Sequence, residues 1–138
     1  MYKKILVTLD CTPADRVIME HIKPLAQLMQ SRLVFLHVAT SAPAKYHGPQ
    51  AAGKEIEESQ AYLARAKAEF AALGIQAEAE LGYGDPVKEI VQWVKKNGCD
   101  LVAMGTHGHQ LVADLVLGTT AIRVQHGVNV PVLMLRAK

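Results

Sequence analysis

Short, unbroken apolar runs alternate with amphipathic stretches along this chain, and that alternation constrains its fold more than any other feature. Lys3 to Leu9, Leu33 to Val38, Asp100 to Met104 and Val130 to Leu135 each hold such an apolar run. A strand covered on one face alternates apolar with polar residues, whereas a strand covered on both faces does not. These runs therefore predict strands buried inside a sheet. Ile75, Ala77, Ala79 and Leu81 do alternate with polar residues, which predicts a half-exposed strand near a sheet edge. Strands separated by helical stretches imply an α/β fold: an open parallel sheet with crossover helices on both faces.

The helical stretches carry their own punctuation. Thr12-Pro13-Ala14-Asp15 predicts a helix start, with Thr12 as cap, Pro13 at the first helical position and Asp15 approximating the acid of a capping box. Val17, Ile18, Ile22, Leu25, Leu28 and Met29 follow at helical spacing. Ile56, Ser59, Leu63, Ala66, Phe70 and Leu73 mark a second helix that Gly74 ends. Asp85-Pro86 opens a third, carrying Val87, Ile90, Val91 and Val94 and ending near Asn97-Gly98. A short helix is expected from Thr119 to Gly127. No shift in composition interrupts the pattern, so residues 1–138 are expected to form one domain, with length enough for a core that needs no staples.

Charge and termini narrow the partners. Fifteen basic residues stand against thirteen acidic ones, too even a balance to drive binding to a nucleic-acid backbone. Aromatic residues are 5% of the chain, which also argues against a base-stacking platform. The first apolar run, Ile5 to Leu9, is stopped by Asp10 and is too short for a signal sequence or a membrane span. The expectation is a cytoplasmic protein that engages neither nucleic acid nor membrane. Cys11 and Cys99 fall on opposite edges of the expected sheet, too far apart to bridge. Cys11 reads as a small apolar filler, His37 as a hydrogen-bonded core residue, and Trp93 and Leu111–Leu117 as packing.

In an open parallel sheet, ligands bind beyond the carboxyl ends of the strands, where the strand order reverses. Two loops at that edge are long, Ala39–Gly53 and Gly105–Gly118, and long ordered loops tend to be functional. Gly105 and Gly108 permit close backbone approach, and Gly118-Thr119-Thr120 sits at a helix start whose free N–H groups favour an anion. The pattern suits a phosphate cradle, and equally a loop with glycines simply where it turns. Asp10 ends the first strand at the same edge, placed to bond a ribose or adenine, to hold Mg²⁺ through water or merely to cap the following turn; its place at the reversal favours a ligand role. His107-Gly108-His109 offers half a metal site without a third ligand. Gly82-x-Gly84 has Val87 where a dinucleotide fingerprint needs glycine, and no P-loop lysine is present. No positioned nucleophile, partnered general base or arginine finger stands out.

Gly105-x2-Gly108-x9-Gly118-Thr119 resembles the nucleotide-binding pattern of the universal stress protein family. Ile5 to Asp10, Gly84-Asp85-Pro86, Asp100 to Gly108 and Val130 to Arg136 resemble four further segments of that family, in order and at matching separations. The resemblance implies a five-stranded parallel sheet of order 3-2-1-4-5 and a homodimer through the fifth strand, Val130 to Leu135. It also implies binding of an adenine nucleotide such as ATP, ADP, AMP or cyclic AMP, with Mg²⁺ as a companion ion. Asp10 and Val38 would lie near the adenosine; Gly105, Gly108, His109, Gly118, Thr119 and Thr120 would lie near ribose and phosphates. A dimeric regulatory module of the stress response is the function that follows. Slow ATP hydrolysis or autophosphorylation, and a scaffold that binds no nucleotide, are the alternatives. Two departures from the family pattern stand out. Cys11-Thr12 replaces the usual Gly-Ser, and His109 stands where a basic residue is common, leaving phosphate affinity to backbone N–H groups and a metal ion.

Overall fold

The computed structural model describes residues 1–39, 49–106 and 119–136. β1 (Lys4–Thr8) is the middle strand of a five-stranded sheet. β2 (Arg32–Ala39) and β4 (Leu101–Thr106) flank it, and β3 (Ala77–Tyr83) and β5 (Val132–Arg136) form the edges. All four pairings are parallel, so the expected order of 3-2-1-4-5 is the observed one. Ile5, Leu6 and Val7 are fully buried, as a strand covered on both faces requires.

Successive side chains of a strand point to opposite faces, which divides the core in two. Ile5, Val7, Leu33 and Phe35 pack with Ile18 and Ile22 of α1 (Asp15–Met29) and Leu63 and Phe70 of α2 (Pro49–Ala71). Leu6, Val34, Leu36 and Val102 pack on the other face with Ile90 and Val94 of α3 (Pro86–Asn97) and Ala121 and Val124 of α4 (Thr119–Gly127). At the amino edge the Asp100 carboxylate accepts the N–H groups of Lys3 and Lys4 at 2.7 and 3.0 Å, tying the start of β4 to the start of β1. Those bonds hold its carboxyl below the usual range.

Local chemistry sets most element ends. The Asp85 side chain caps α3 by accepting the Lys88 N–H at 2.9 Å, Pro86 occupies the first turn, and Gly98 ends the helix with φ of 78°. Gly74 closes the turn after α2 with φ of 77°. α1 departs from expectation, since it starts at Asp15 rather than at Pro13. A tighter turn precedes it, in which the Asp15 and Arg16 N–H groups bond back to Thr12 and Pro13. β4 runs on through Gly105 and Thr106, and β5 begins at Val132 rather than Val130. Leu28 and Leu73, assigned to buried stripes by periodicity, are 78% and 44% exposed. On the arc of α1, Leu28 lies about 80° away from Ile18, outside the face that meets the sheet. Leu73 lies beyond the last turn of α2.

Outside the core, Arg16 and Lys23 of α1 share Glu69 of α2, with Glu20 bonded to both cations. The two cations hold the Glu69 carboxyl down to about 2. The group is exposed enough that solvent screens most of this, and such pairs contribute under about 1 kcal/mol.

α4 packs closely on α3. A Cβ added at Gly127 would lie 2.7 Å from Cγ2 of Val91, a branched side chain with little room to turn. Gly127→Ala is expected to destabilise the fold by a net of about 1 kcal/mol, overpacking outweighing the gain in helix propensity. A lower urea midpoint at unchanged slope would show it; an unchanged or higher midpoint would refute it.

Candidate functional site at the carboxyl edge of the sheet

From β1 the chain crosses to β2 on one side, and after β3 it returns to β4 on the other. The strand order therefore reverses between β1 and β4. Thr8 is the register partner of Met104, so Asp10 and the Gly105 end of β4 share one edge. Among the described residues, a Cβ added at Gly105 would meet the Leu135 carbonyl oxygen at 3.9 Å, an ordinary contact. β4 and β5 are parallel, so α4 must run back from the carboxyl edge to the amino edge. Its first turn, with Thr119 and an exposed Thr120, thus belongs to the same edge as Asp10 and Gly105. Val38 lies near the end of β2, its side chain in the core under α3 and 3.6 Å from where Gly82 would carry a Cβ. Gly108, His109 and Gly118 lie outside the described residues, as does the apolar segment Leu111–Leu117.

A buried carboxylate shapes the turn after β1. Asp15, 4% exposed, accepts the backbone N–H groups of Asp10 (3.0 Å), Cys11 (2.8 Å) and Thr12 (3.4 Å). Asp15 is the first residue of α1, whose N-cap is Ala14, so the expected capping box with Thr12 as cap does not form and the three bonds fasten the turn between β1 and the helix instead. The Tyr62 hydroxyl of α2 reaches the same carboxylate at 2.8 Å. It also lies 3.2 Å from the Thr12 carbonyl, but its one hydrogen belongs with the nearer, charged acceptor. Burial and the neighbouring carboxylate raise this phenol well above its ordinary range.

Cys11 adopts φ of 62°, a left-handed backbone that side chains other than glycine seldom take. This is the place where family members commonly carry glycine. The bond from its N–H to Asp15 helps hold the residue in that conformation. Burial, and then the nearby carboxylates, push its thiol up to about 12. Cys11 is thus a protonated, half-buried sulfhydryl, and both cysteines are free. His37, also half-buried, places Nδ1 2.8 Å from the Leu9 carbonyl oxygen. That is the backbone hydrogen bond expected of a core histidine.

Asp10, Cys11 and His37 form one wall of a cleft of about 540 Å³ on the α1–α2 face. The other wall is a stripe of α2: Glu55, Glu58, Ser59, Tyr62 and Arg65. Sequence reasoning missed this wall except for Ser59, which belongs to the buried stripe and is 5% exposed. Residues 55, 58, 59, 62 and 65 recur at three- and four-residue steps, a polar stripe beside the apolar one whose spacing is that of any solvated helix face. Three carboxylates against one guanidinium make the cleft acidic. Among the described residues no cluster of three or more histidine, cysteine or acidic side chains is placed to hold a metal ion. No helix among them is long and apolar enough to cross a membrane.

The strand order, with helices on both faces of the sheet, defines an open, doubly wound α/β protein whose order reverses between β1 and β4. The chain belongs to the universal stress protein family, whose family model matches residues 1–136. It is 33% identical to universal stress protein A homolog 2 of Coxiella burnetii, over 99% of this chain and 97% of that one. It is 26% identical to universal stress protein MJ0577 of Methanocaldococcus jannaschii, over 100% of this chain and 97% of the relative. The solved structure of MJ0577 superposes with a TM-score of 0.86, covering 100% of this chain and 98% of that one. A universal stress protein of Archaeoglobus fulgidus, solved in complex with dAMP, superposes with a TM-score of 0.69 at 18% identity, covering 96% of this chain and 97% of that one.

Proposed function

We propose that this chain, as one domain, binds an adenine nucleotide at the carboxyl edge of β1 and β4 and acts as a dimeric regulatory module of the cytoplasmic stress response. The observation that carries the reading is the meeting of Asp10 and Gly105 at the strand-order reversal. The residues there suit the ligand. Asp10 offers a carboxylate to ribose or base, Gly105 permits close backbone approach, and the first turn of α4 presents N–H groups to a phosphate. Gly108, His109, Gly118, Thr119 and Thr120 would complete the phosphate side, with Val38 under the adenosine. Mg²⁺, if it accompanies the nucleotide, would be held mainly by phosphate oxygens, with Asp10 reaching it through water. The dAMP complex of the Archaeoglobus fulgidus relative supports the ligand class. β5 is an edge strand in which Met134 is 38% exposed, which suits pairing with a second copy.

Calorimetric titration of refolded, nucleotide-free protein tests the reading. At least one of ATP, ADP, AMP and cyclic AMP is expected to bind. Gly118→Val, which fills the backbone approach to the phosphates, is expected to weaken that binding by more than about tenfold. No heat with any of the four nucleotides overturns the proposal.

A further inference from the structure

The carboxylate of Asp15 stands one step behind the proposed site, and the hydroxyl of Tyr62, in the opposite wall of the cleft, bonds to it. Asp10 and Cys11 line the cleft; Asp15, beneath them, does not. Its two oxygens accept four hydrogen bonds, three of them from successive backbone N–H groups at the end of β1. None of the three caps α1, whose N-cap is Ala14. The bonds from Asp10 and Cys11 serve a different end: they fix the main chain at the residue that faces the ligand edge and hold Cys11 at its left-handed φ.

We infer that Asp15, held by Tyr62, is a positioning residue for nucleotide binding: it sets the backbone from which Asp10 projects. The inference rests on the nucleotide reading above and deepens it. With the carboxylate removed, three adjacent N–H groups lose their acceptor, Cys11 loses what offsets its unfavourable φ, and the turn relaxes toward β-like conformations. Asp10 then leaves the edge it shares with Gly105. Tyr62 adds the fourth bond from α2 on the opposite wall, so the carboxylate's set of partners is complete only while α2 is docked.

A double-mutant cycle separates this role from a merely structural one. Asp15→Asn keeps the shape but loses the charge and one acceptor oxygen. It is expected to weaken binding of ATP, or of whichever adenine nucleotide wild type binds, by about tenfold or more. In an Asp10→Ala background the same change is expected to cost less than about twofold, because the group it positions is gone. Tyr62→Phe, which keeps the ring in place, is expected to weaken binding by about threefold with the same coupling. Hydrogen exchange gives a readout independent of any ligand. The amides of Asp10, Cys11 and Thr12 should exchange about tenfold faster or more in Asp15→Asn, while those of β2 and β4 hold.

Wild type that binds no nucleotide overturns the functional reading and this role with it. Wild type that binds, beside an Asp15→Asn variant that binds equally, overturns the positioning role alone. So does an equal loss in both backgrounds, and so does slow exchange persisting at residues 10–12. If Asp15→Asn fails to fold, the Tyr62→Phe cycle decides: coupling to Asp10 supports the role, and additivity overturns it.

Discussion

Phe35→Ala is expected to lower stability by about 3–5 kcal/mol, the range for emptying a large aromatic site in a core that cannot collapse around it. Phe35 is fully buried on β2, where β1 and β3 hold the backbone from both sides. Its ring meets that of Phe70, also fully buried, edge-on at 4.9 Å between centroids and 71° between planes. The loss therefore includes the aromatic pair as well as the buried area. Urea unfolding followed by Trp93 fluorescence measures it. Leu28→Ala, at a site 78% exposed, is expected to change stability by less than about 0.5 kcal/mol under the same conditions. A Phe35→Ala loss below about 1 kcal/mol would mean that β2 and α2 do not share the core described here.

The second large effect concerns a rate. With its thiol pushed up to about 12 from an ordinary 9.0, Cys11 holds about a thousandfold less thiolate at pH 8 than a free cysteine, and alkylation follows the thiolate. Iodoacetamide at pH 8 is therefore expected to leave Cys11 largely unlabelled over a time in which the urea-unfolded chain labels completely. Peptide mass spectrometry would read the difference. Cys11 modified in the folded protein as fast as in the unfolded chain would contradict the buried, acid-flanked setting. Burial acts first and the charges second. Removing solvent disfavours the anion, and Asp15 and Asp10 disfavour it further, so labelling should rise only as pH climbs toward 12.

Features set by neighbouring residues were legible in the sequence. Asp85, Pro86 and Gly98 bound α3 through bonds and dihedrals made within a few positions, and they read correctly. The three inner strands read correctly because burial on both faces leaves no polar alternation to confuse with a helix. Leu28 and Leu73 misled because an apolar residue near helical spacing need not fall on the arc that meets the sheet. The site divides along the same line. Asp10 and Gly105 were legible as strand ends at the reversal. The polar wall of α2 was not, because its partners come from β1 and β2 and its spacing looks like any solvated helix face. The local pattern suggests Asp15 as the acid of a capping box under Thr12; Asp15 does accept the Thr12 N–H, but α1 begins at Asp15 itself with Ala14 as N-cap. Nothing within reach of a local pattern signals that Tyr62 completes the arrangement from 47 positions away.

That separation has a consequence for how the protein comes into being. A chain emerging from synthesis delivers β1, the turn after it and α1 well before α2 exists. Long-range contacts form late because their chain closure must be offset by many interactions at once. A nascent chain ending before Tyr62 can pair β1 with β2 and still lack the hydroxyl that seats Asp15. Competence for ligand should therefore appear late: α2 must dock to seat Asp15, and β4, made later still, must add the other half of the candidate edge.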